Sequence, residues 1–481
     1  MERRVKIVAT LGPASGSAER LGQLLEAGVD VFRINAAHGS ADDRALLIQN
    51  VRDVAELAGR RVPILFDLRG LKIRSGPLPE GSGAIPIARG SRLRLVASPV
   101  PTTTDVIGID YPLLFDVIAE GSRILISDGL IELLVEQVNG DHAMATVSRG
   151  GQLMGKQGVT LPGAPIKGGA LTDADKDDVA FAVSHGVDYL GLSFINDAGD
   201  LQLARDVALS CSGDQPGLVA KIERPEALAN LREIAGSADG VMVARGDLGV
   251  QLPPERVPRA QKEIIGVANQ MGLPVITATQ MLESMITQPV ATRAETSDVA
   301  NAVWDGTDAV MLSAETAVGK YPVEAVRTMD RIIKEVEKEG PIRSQSAAAM
   351  ATLPDDASAR FSDAIARAAF ALGDQTPAGH LVVFTKTGAA VRRIAKYRPG
   401  PPIIAVADNE LVARRLQLVW GVESVVVKVE ENPDSVFRKA GQAIIEAGLA
   451  DEGEYALIVG SLPMTQKAGQ TNLVHFRKLG S

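Results

Sequence analysis

The sequence predicts an α/β protein: a (β/α)8 barrel of the TIM type, an all-β lid domain inserted into it, and a C-terminal domain of open α/β sheet. Three observations lead there. Eight short β-branched runs alternate with helical patterns. The alternation breaks off once, after Asp67, in a stretch rich in Gly and Pro, and a separate strand-and-helix alternation follows residue 358.

The first three runs are residues 5–10, 29–34 and 62–67, with helical patterns at 18–27 and 42–57 between them. Each helix is short enough to serve as the crossover that a parallel pair requires. The other five runs are 187–193, 218–223, 240–245, 274–279 and 308–313, interleaved with helices at 173–185, 198–209, 225–235, 254–270, 293–304 and 322–337. Three strands and five, each followed by a helix, argue for a closed barrel. The interruption carries alternating strands at 92–96 and 131–138. Because it leaves and re-enters at the end of the third strand, it is expected over the C-terminal mouth, where barrel active sites are built. A Ser/Ala-rich connector through Ser358 leads to strands at 381–384, 403–406, 425–429 and 456–459. The expected domains are 1–69 with 159–340 for the barrel, 70–158 for the lid and 341–481 for the C-terminal unit.

Composition excludes several classes of protein. With 46% apolar and 23% charged residues, the 481-residue chain is far from the disordered range. A formal net charge of −9 disfavours attraction to nucleic acid or anionic membranes, so neither is expected as a partner. Cys211 is the single cysteine, and no apolar signal core follows Met1, so a cytoplasmic setting is expected. The uncharged stretch 264–282 is interrupted by Asn269, Gln270, Gly272 and Pro274, which argues against a membrane span. The five histidines show no metal-ligand spacing, and no Walker motif or G-x-G-x-x-G follows a strand.

The strand ends carry the chemistry: Thr10, Arg33 with Asn35, Asp67, Ser193, Lys221 with Glu223, Arg245 followed by Asp247, Thr279, and Ser313 with Glu315. Lys221 and Glu223 are two apart and share one face of a strand, and Asp247 reaches the same mouth from the next strand. Two carboxylates beside a lysine fit Mg²⁺, which takes only one or two protein carboxylates. A buried ion network bracing the barrel accounts equally well for any one such pair; polar residues at all eight strand ends favour function. Arg33 suits a phosphate clamp, with a surface ion pair as its alternative. Thr385-Lys386-Thr387-Gly388 follows a strand and opens a helix, offering either a phosphate site or a helix cap.

These segments resemble the pyruvate kinase family over nearly the whole chain. The resemblance rests on Thr10 to Ser15, on Arg33-Ile34-Asn35 through His38-Gly39, and on Gly158-Val159-Thr160-Leu161-Pro162-Gly163. Lys221-Ile222-Glu223, Met242 to Gly249 and Ala278 to Met285 follow in the same order. It implies phosphoryl transfer from phosphoenolpyruvate to ADP, giving pyruvate and ATP in glycolysis, with Mg²⁺ or Mn²⁺, usually in a homotetramer. Carried over by position, Lys221 neutralises the transferring group, and Glu223 and Asp247 hold the metal. Ala244, Arg245, Gly246, Asp247, Ser193 and Thr279 bind substrate, with Thr279 also in the proton relay. Arg33 contacts the phosphate, Thr10, Pro13, His38, Arg74 and Lys156 line the nucleotide side, and Asp128 closes over the site from the lid. A phosphorylated effector is expected at Thr385, Lys386, Thr387 and Gly388. The alternatives are a non-catalytic, phosphometabolite-binding paralogue and a Mg²⁺-dependent lyase acting through a pyruvate enolate.

This chain departs from the family pattern at one subsite. Ala37 and Leu68 replace a serine and a threonine that help organise a monovalent cation beside Asn35 and Asp67, and Lys72 replaces a glutamate. The expectation is that K⁺ is not required, with Lys72 as its surrogate. The lid lysine, Lys156, stands one position early.

Overall fold

A computed structural model describes residues 3–164, 166, 171–340, 356–430, 432–463 and 470–480. The eight expected strands form: β1 (Lys6–Thr10), β2 (Val31–Asn35), β3 (Ile64–Asp67), β4 (Tyr189–Leu192), β5 (Gly217–Ile222), β6 (Gly240–Ala244), β7 (Val275–Ala278) and β8 (Ala309–Leu312). All neighbours are parallel, and β1 pairs with both β2 and β8, which closes the barrel. Except for Arg33 and Asn35 at the end of β2, every residue of these strands is buried. Parallel strands covered by side chains inside and helices outside demand that.

The helices at Ala18–Ala27, Ala198–Leu209, Arg293–Trp304 and Pro322–Glu337 span the expected residues. Local chemistry sets their ends. The Ser17 hydroxyl accepts from Arg20 N, and Gly28 ends the first helix at φ 114°, a conformation costly for residues with a Cβ. Thr292 and Glu295 form a reciprocal capping box at the start of another. The helix expected at 225–235 is two, Pro225–Ala229 and Leu231–Ser237, divided at Asn230, whose amide donates to Asn196 O. A short helix, Arg245–Gln251, was not expected, because Gly246 and Gly249 mask any helical pattern.

The inserted region forms a six-stranded sheet in the order Val159–Thr160, Arg123–Ile126, Ile131–Val138, Ala143–Arg149, Arg92–Val96 and Val106–Gly108. Its core, including Leu93, Leu95, Ile124, Leu133 and Val147, is separate from that of the barrel. The connector before residue 356 lies outside the described residues, and the helix Ala357–Gln375 already includes Ser358. In the C-terminal unit the strands run Val422–Val426, Ile403–Ala407, His380–Thr385, Tyr455–Gly460 and Leu473–Lys478. The strand expected at 425–429 begins earlier, since Gly421 turns the chain at φ 65° and Val422 then pairs with Ile403. The antiparallel edge strand Leu473–Lys478 escaped notice because its half-exposed side chains alternate poorly in polarity.

The C-terminal unit closes the barrel's lower end. Leu418, 1% exposed, joins Val8, Val31, Leu65, Val219, Met242, Ile276 and Met311 in the cluster that fills the barrel interior. Around it, Arg398 donates to Asp308 Oδ1 at 3.0 Å and to Gly306 O at 2.7 Å, and Lys6 donates to Val422 O at 2.8 Å. Because this side chain completes the barrel's packing, Leu418→Ala should cost about 2–5 kcal/mol. Urea unfolding followed by far-UV circular dichroism and by the fluorescence of buried Trp420 should show both signals shifting together.

Candidate active site

The polar strand ends converge at the barrel's C-terminal rim on a cavity of about 900 Å³, lined by Thr10, Arg33, Asp67, Lys221, Asp247, Thr279 and Ser313 among others. At its floor stands Lys221. Its ammonium donates to Ser193 Oγ at 2.6 Å and lies 2.8 Å from Glu223 Oε1 and 3.3 Å from Asp67 Oδ1. Burial works to lower its pKa, but the charges of Asp67, Glu223 and Asp247 overcome that and hold it above the usual lysine value. The side chain therefore stays cationic at neutral pH.

Glu223, 1% exposed, receives a second hydrogen bond, from Phe194 N at 2.6 Å. Burial, together with the nearby charge of Asp247 and against the pull of Lys221, pushes its carboxyl up to about 7. Glu223 is thus a buried carboxyl close to a second carboxylate, Asp247, with Lys221 as the nearby cation. Among the described residues no group of three or more His, Cys, Asp and Glu side chains could hold a metal ion. Asp247 lines the cavity, whereas Glu223 lines neither this space nor its neighbour and is buried beside Lys221. A carboxylate pair of this kind is the protein donor set Mg²⁺ takes, with other oxygens and water completing its shell.

Arg33 is held in place by its neighbours. Its guanidinium pairs with Asp67 Oδ2, and its Nη1 donates to Thr10 Oγ1 at 3.1 Å. Thr10 in turn donates to Leu312 O at 2.9 Å, linking β1, β2, β3 and β8. Across the cavity, Thr279 has φ 69°, an unfavourable conformation for a β-branched residue. Arg245 sustains it by donating to Thr279 O at 2.6 Å and to Ala278 O at 3.3 Å, while Asp298 pairs with the same guanidinium. The Thr279 hydroxyl accepts from Gly246 N at 2.8 Å and so meets the start of the helix Arg245–Gln251. The side chain of Arg245 is thus committed to the loop, leaving the backbone around Ala244, Arg245 and Gly246 to face the rim. Glu315 is structural: it accepts from Leu282 N and Ser313 N.

The other expected residues divide into those gathered here and those set apart. Pro13, Asn35 and His38 line the main cavity. A second space, about 600 Å³, is bordered by Lys72 and Asp128 together with Arg245, Gly246 and Asp247. Lys72 is exposed and absent from the wall that holds Asn35 and Asp67, and Leu68 points into the barrel core. In this structure Asp67 is balanced by Arg33 and Lys221 rather than by Lys72. Arg74 and Lys156 lie exposed on the lid stem, where Arg74 donates to Lys156 O at 3.1 Å, and neither lines the cavity. In the C-terminal unit, Thr385 Oγ1 accepts from Gly388 N as an ordinary turn cap. Thr387 and Gly388 border a space of only about 50 Å³ against the barrel, too small for a sugar phosphate.

Comparison with known proteins identifies the family. The model of the pyruvate kinase barrel domain matches residues 2–326, and that of the pyruvate kinase alpha/beta domain matches 363–476. The chain belongs to the pyruvate kinase family. It is 40% identical to a pyruvate kinase of Mycobacterium tuberculosis over 100% of this chain and 99% of that one. It is also 42% identical to one from Agrobacterium vitis, covering 98% and 96%. A crystal structure of a pyruvate kinase from Cryptosporidium parvum superimposes with a TM-score of 0.92 at 33% identity, covering 99% of this chain and 96% of that one. The protein is a phosphotransferase acting as a pyruvate kinase, and none of these matches favours a lyase or a non-catalytic paralogue. No helix among the described residues is long and apolar enough to cross a membrane.

The raised carboxyl of Glu223 sets a pH dependence. If Glu223 is a ligand of the divalent ion, protons compete for it below about pH 7 and the competition ends above that. Between pH 8 and pH 6 the apparent dissociation constant for Mn²⁺ should rise about 10-fold. Glu223→Gln should remove that slope along with much of the affinity, as read by calorimetric titration at each pH.

Proposed function

We propose that Lys221, Arg33, Glu223, Asp247 and Thr279 carry the phosphoryl transfer, and that Mg²⁺, or Mn²⁺ in its place, is the divalent ion. The observation that supports this most is the buried Lys221 ammonium, kept charged by three carboxylates on the floor of an open rim cavity. Phosphoryl transfer needs positioning and charge neutralisation more than covalent help. Lys221 and the Arg33 fork meet the oxygens of the transferring group from two sides, and both are held before substrate arrives, so little reorganisation is required. Glu223 and Asp247 would hold the ion, which when bound would supply positive charge to offset the negative charge of the reacting groups. The backbone at the start of the helix Arg245–Gln251, with Thr279, receives the substrate carboxylate. Thr279 then delivers the proton that converts enolate to pyruvate. Thr10, Pro13 and His38 border the ADP side, and closure of the lid brings Arg74, Lys156 and Asp128 over it and excludes water.

Lys221→Met should lower kcat by about 10³-fold in an assay of pyruvate formation from phosphoenolpyruvate and ADP, with the fold retained. Solvent-proton exchange at the methyl group of pyruvate should partly survive, since no phosphoryl group takes part in it. Thr279→Ala should impair that exchange. Exchange at the full rate in Thr279→Ala would exclude Thr279 from the relay.

The same reading extends to the monovalent cation. Ala37 and Leu68 supply no side-chain oxygen, Asp67 is already paired with two fixed cations, and Lys72 is exposed beside Gly158 on the stem that joins the lid to the barrel. Closure carrying Lys72 toward Asp67 dispenses with K⁺. Rates in tetramethylammonium and potassium salts at equal ionic strength should agree, and Lys72→Glu should lower both, with K⁺ restoring only part. A strong K⁺ requirement in the unaltered enzyme would overturn this. The boundaries at residues 70 and 341, set by the texture of the chain, are carried forward, while the lid's later boundary, expected at 158, moves past Thr160 because Val159–Thr160 pairs with Arg123–Ile126 in the lid sheet. A cytoplasmic setting is carried forward from the single cysteine, and a homotetramer and a phosphorylated effector bound at Thr385–Gly388 once that loop opens from family likeness.

A further inference from the structure

Arg224 follows the metal-site residue Glu223 directly, is 6% exposed, and pairs with no carboxylate among the described residues. Its Nε lacks any hydrogen-bond partner there, and its Nη1 donates to Asn196 Oδ1 at 3.1 Å. A buried guanidinium without an ion pair is costly unless its position serves another purpose. Glu223, Glu226 and Asp200 lie near enough to favour its charge without forming an ion pair, and its Cζ stands 5.1 Å from the centroid of the Phe194 ring.

Phe194 is itself unusual. It has φ 55°, which a bulky residue rarely adopts, and this conformation goes with a backbone N–H that reaches Glu223 Oε2 at 2.6 Å. The preceding residue, Ser193, accepts from Lys221 Nζ and donates to Leu68 O at 3.0 Å. The backbone of Gly70 packs so closely on this segment that a Cβ there would stand 2.8 Å from Ser193 Cβ and 3.0 Å from Phe194 Cδ2. Ser193 and Phe194 thus touch Lys221, Glu223 and the root of the lid at once.

We propose that Arg224 is a positioning residue for the divalent ion: its guanidinium clamps the Phe194 ring, and so keeps the Phe194 N–H on one oxygen of Glu223 and fixes how that carboxylate is presented. This rests on Glu223 being a metal ligand. Partners that orient a ligand commonly govern affinity nearly as strongly as the ligand itself.

The test uses the intact enzyme without substrates, with Mn²⁺ alone as the probe and free ion read by electron paramagnetic resonance. Arg224→Met and Phe194→Leu should each weaken Mn²⁺ binding roughly 10-fold. The double variant should be no weaker than either single one, because both remove the same clamp. Arg224→Lys, which keeps the cation but not the planar face, should recover part of the loss. Circular dichroism and melting curves identify any variant that fails to fold; if Arg224→Met does, Arg224→Lys and Phe194→Leu carry the comparison. Unchanged Mn²⁺ affinity in folded Arg224 variants, or fully additive losses in the double variant, would overturn the clamp. Glu223→Gln separates the two claims: if it weakens Mn²⁺ binding while the Arg224 variants do not, only the clamp fails, and if it leaves binding intact, the assignment of Glu223 fails instead.

Discussion

Closing eight parallel strands into one barrel constrains everything else in this molecule. Once β1 pairs with β8, every strand ends on the same rim, and residues as far apart in sequence as Thr10, Lys221 and Thr279 face one cavity. The strands are largely apolar where they are packed from both sides; apart from Lys6 at the start of β1 and Thr277 within β7, their polar and charged residues gather toward the last residues or just beyond them. Polar and charged groups so near a core are tolerated because each finds a partner on an adjacent strand end. Arg33 meets Asp67 and Thr10, Lys221 meets Ser193 and Glu223, and Thr279 meets Gly246.

The pairing is deliberately unequal. Lys221 is surrounded by negative charge, which holds its proton, whereas burial and the neighbouring charge of Asp247 raise the affinity of Glu223 for a proton despite the pull of Lys221. Backbone strain is part of the same device: Thr279 and Phe194 both sit at positive φ, and each is held there by an arginine, Arg245 through two carbonyl oxygens and Arg224 through the aromatic ring.

The two ends of the barrel are treated differently. Below, the C-terminal unit contributes Leu418 to the barrel interior and is tied on by buried hydrogen bonds and ion pairs, so the junction resembles a core more than a hinge. Above, the lid keeps its own hydrophobic core and meets the barrel through the stem around Gly70 and Gly158. A rigid floor and a separately packed roof suit a reaction that must admit two substrates and then exclude water. The Met242 and Met311 side chains belong both to the interior cluster with Leu418 and to the wall of the cavity, which connects the two ends physically.

Much of this was legible in the residues themselves. β-branched runs report strands that are buried on both faces, and counting the strand-and-helix units led to the barrel. Polar strand ends pointed to the rim, and the signature segments around Lys221 and Thr279 to the family. Local pattern could not report the unexpected helix Arg245–Gln251 or the edge strand Leu473–Lys478, because glycine and mixed polarity erase periodicity. Nor could it place Lys72 away from Asp67, turn Leu68 inward, or set Arg224 against Phe194. Periodicity records which face of a segment is covered, and that depends on near neighbours. Which side chains meet across 30 or 150 intervening residues depends on how strands are registered and where the lid stem leaves the barrel, and only the closed structure decides that.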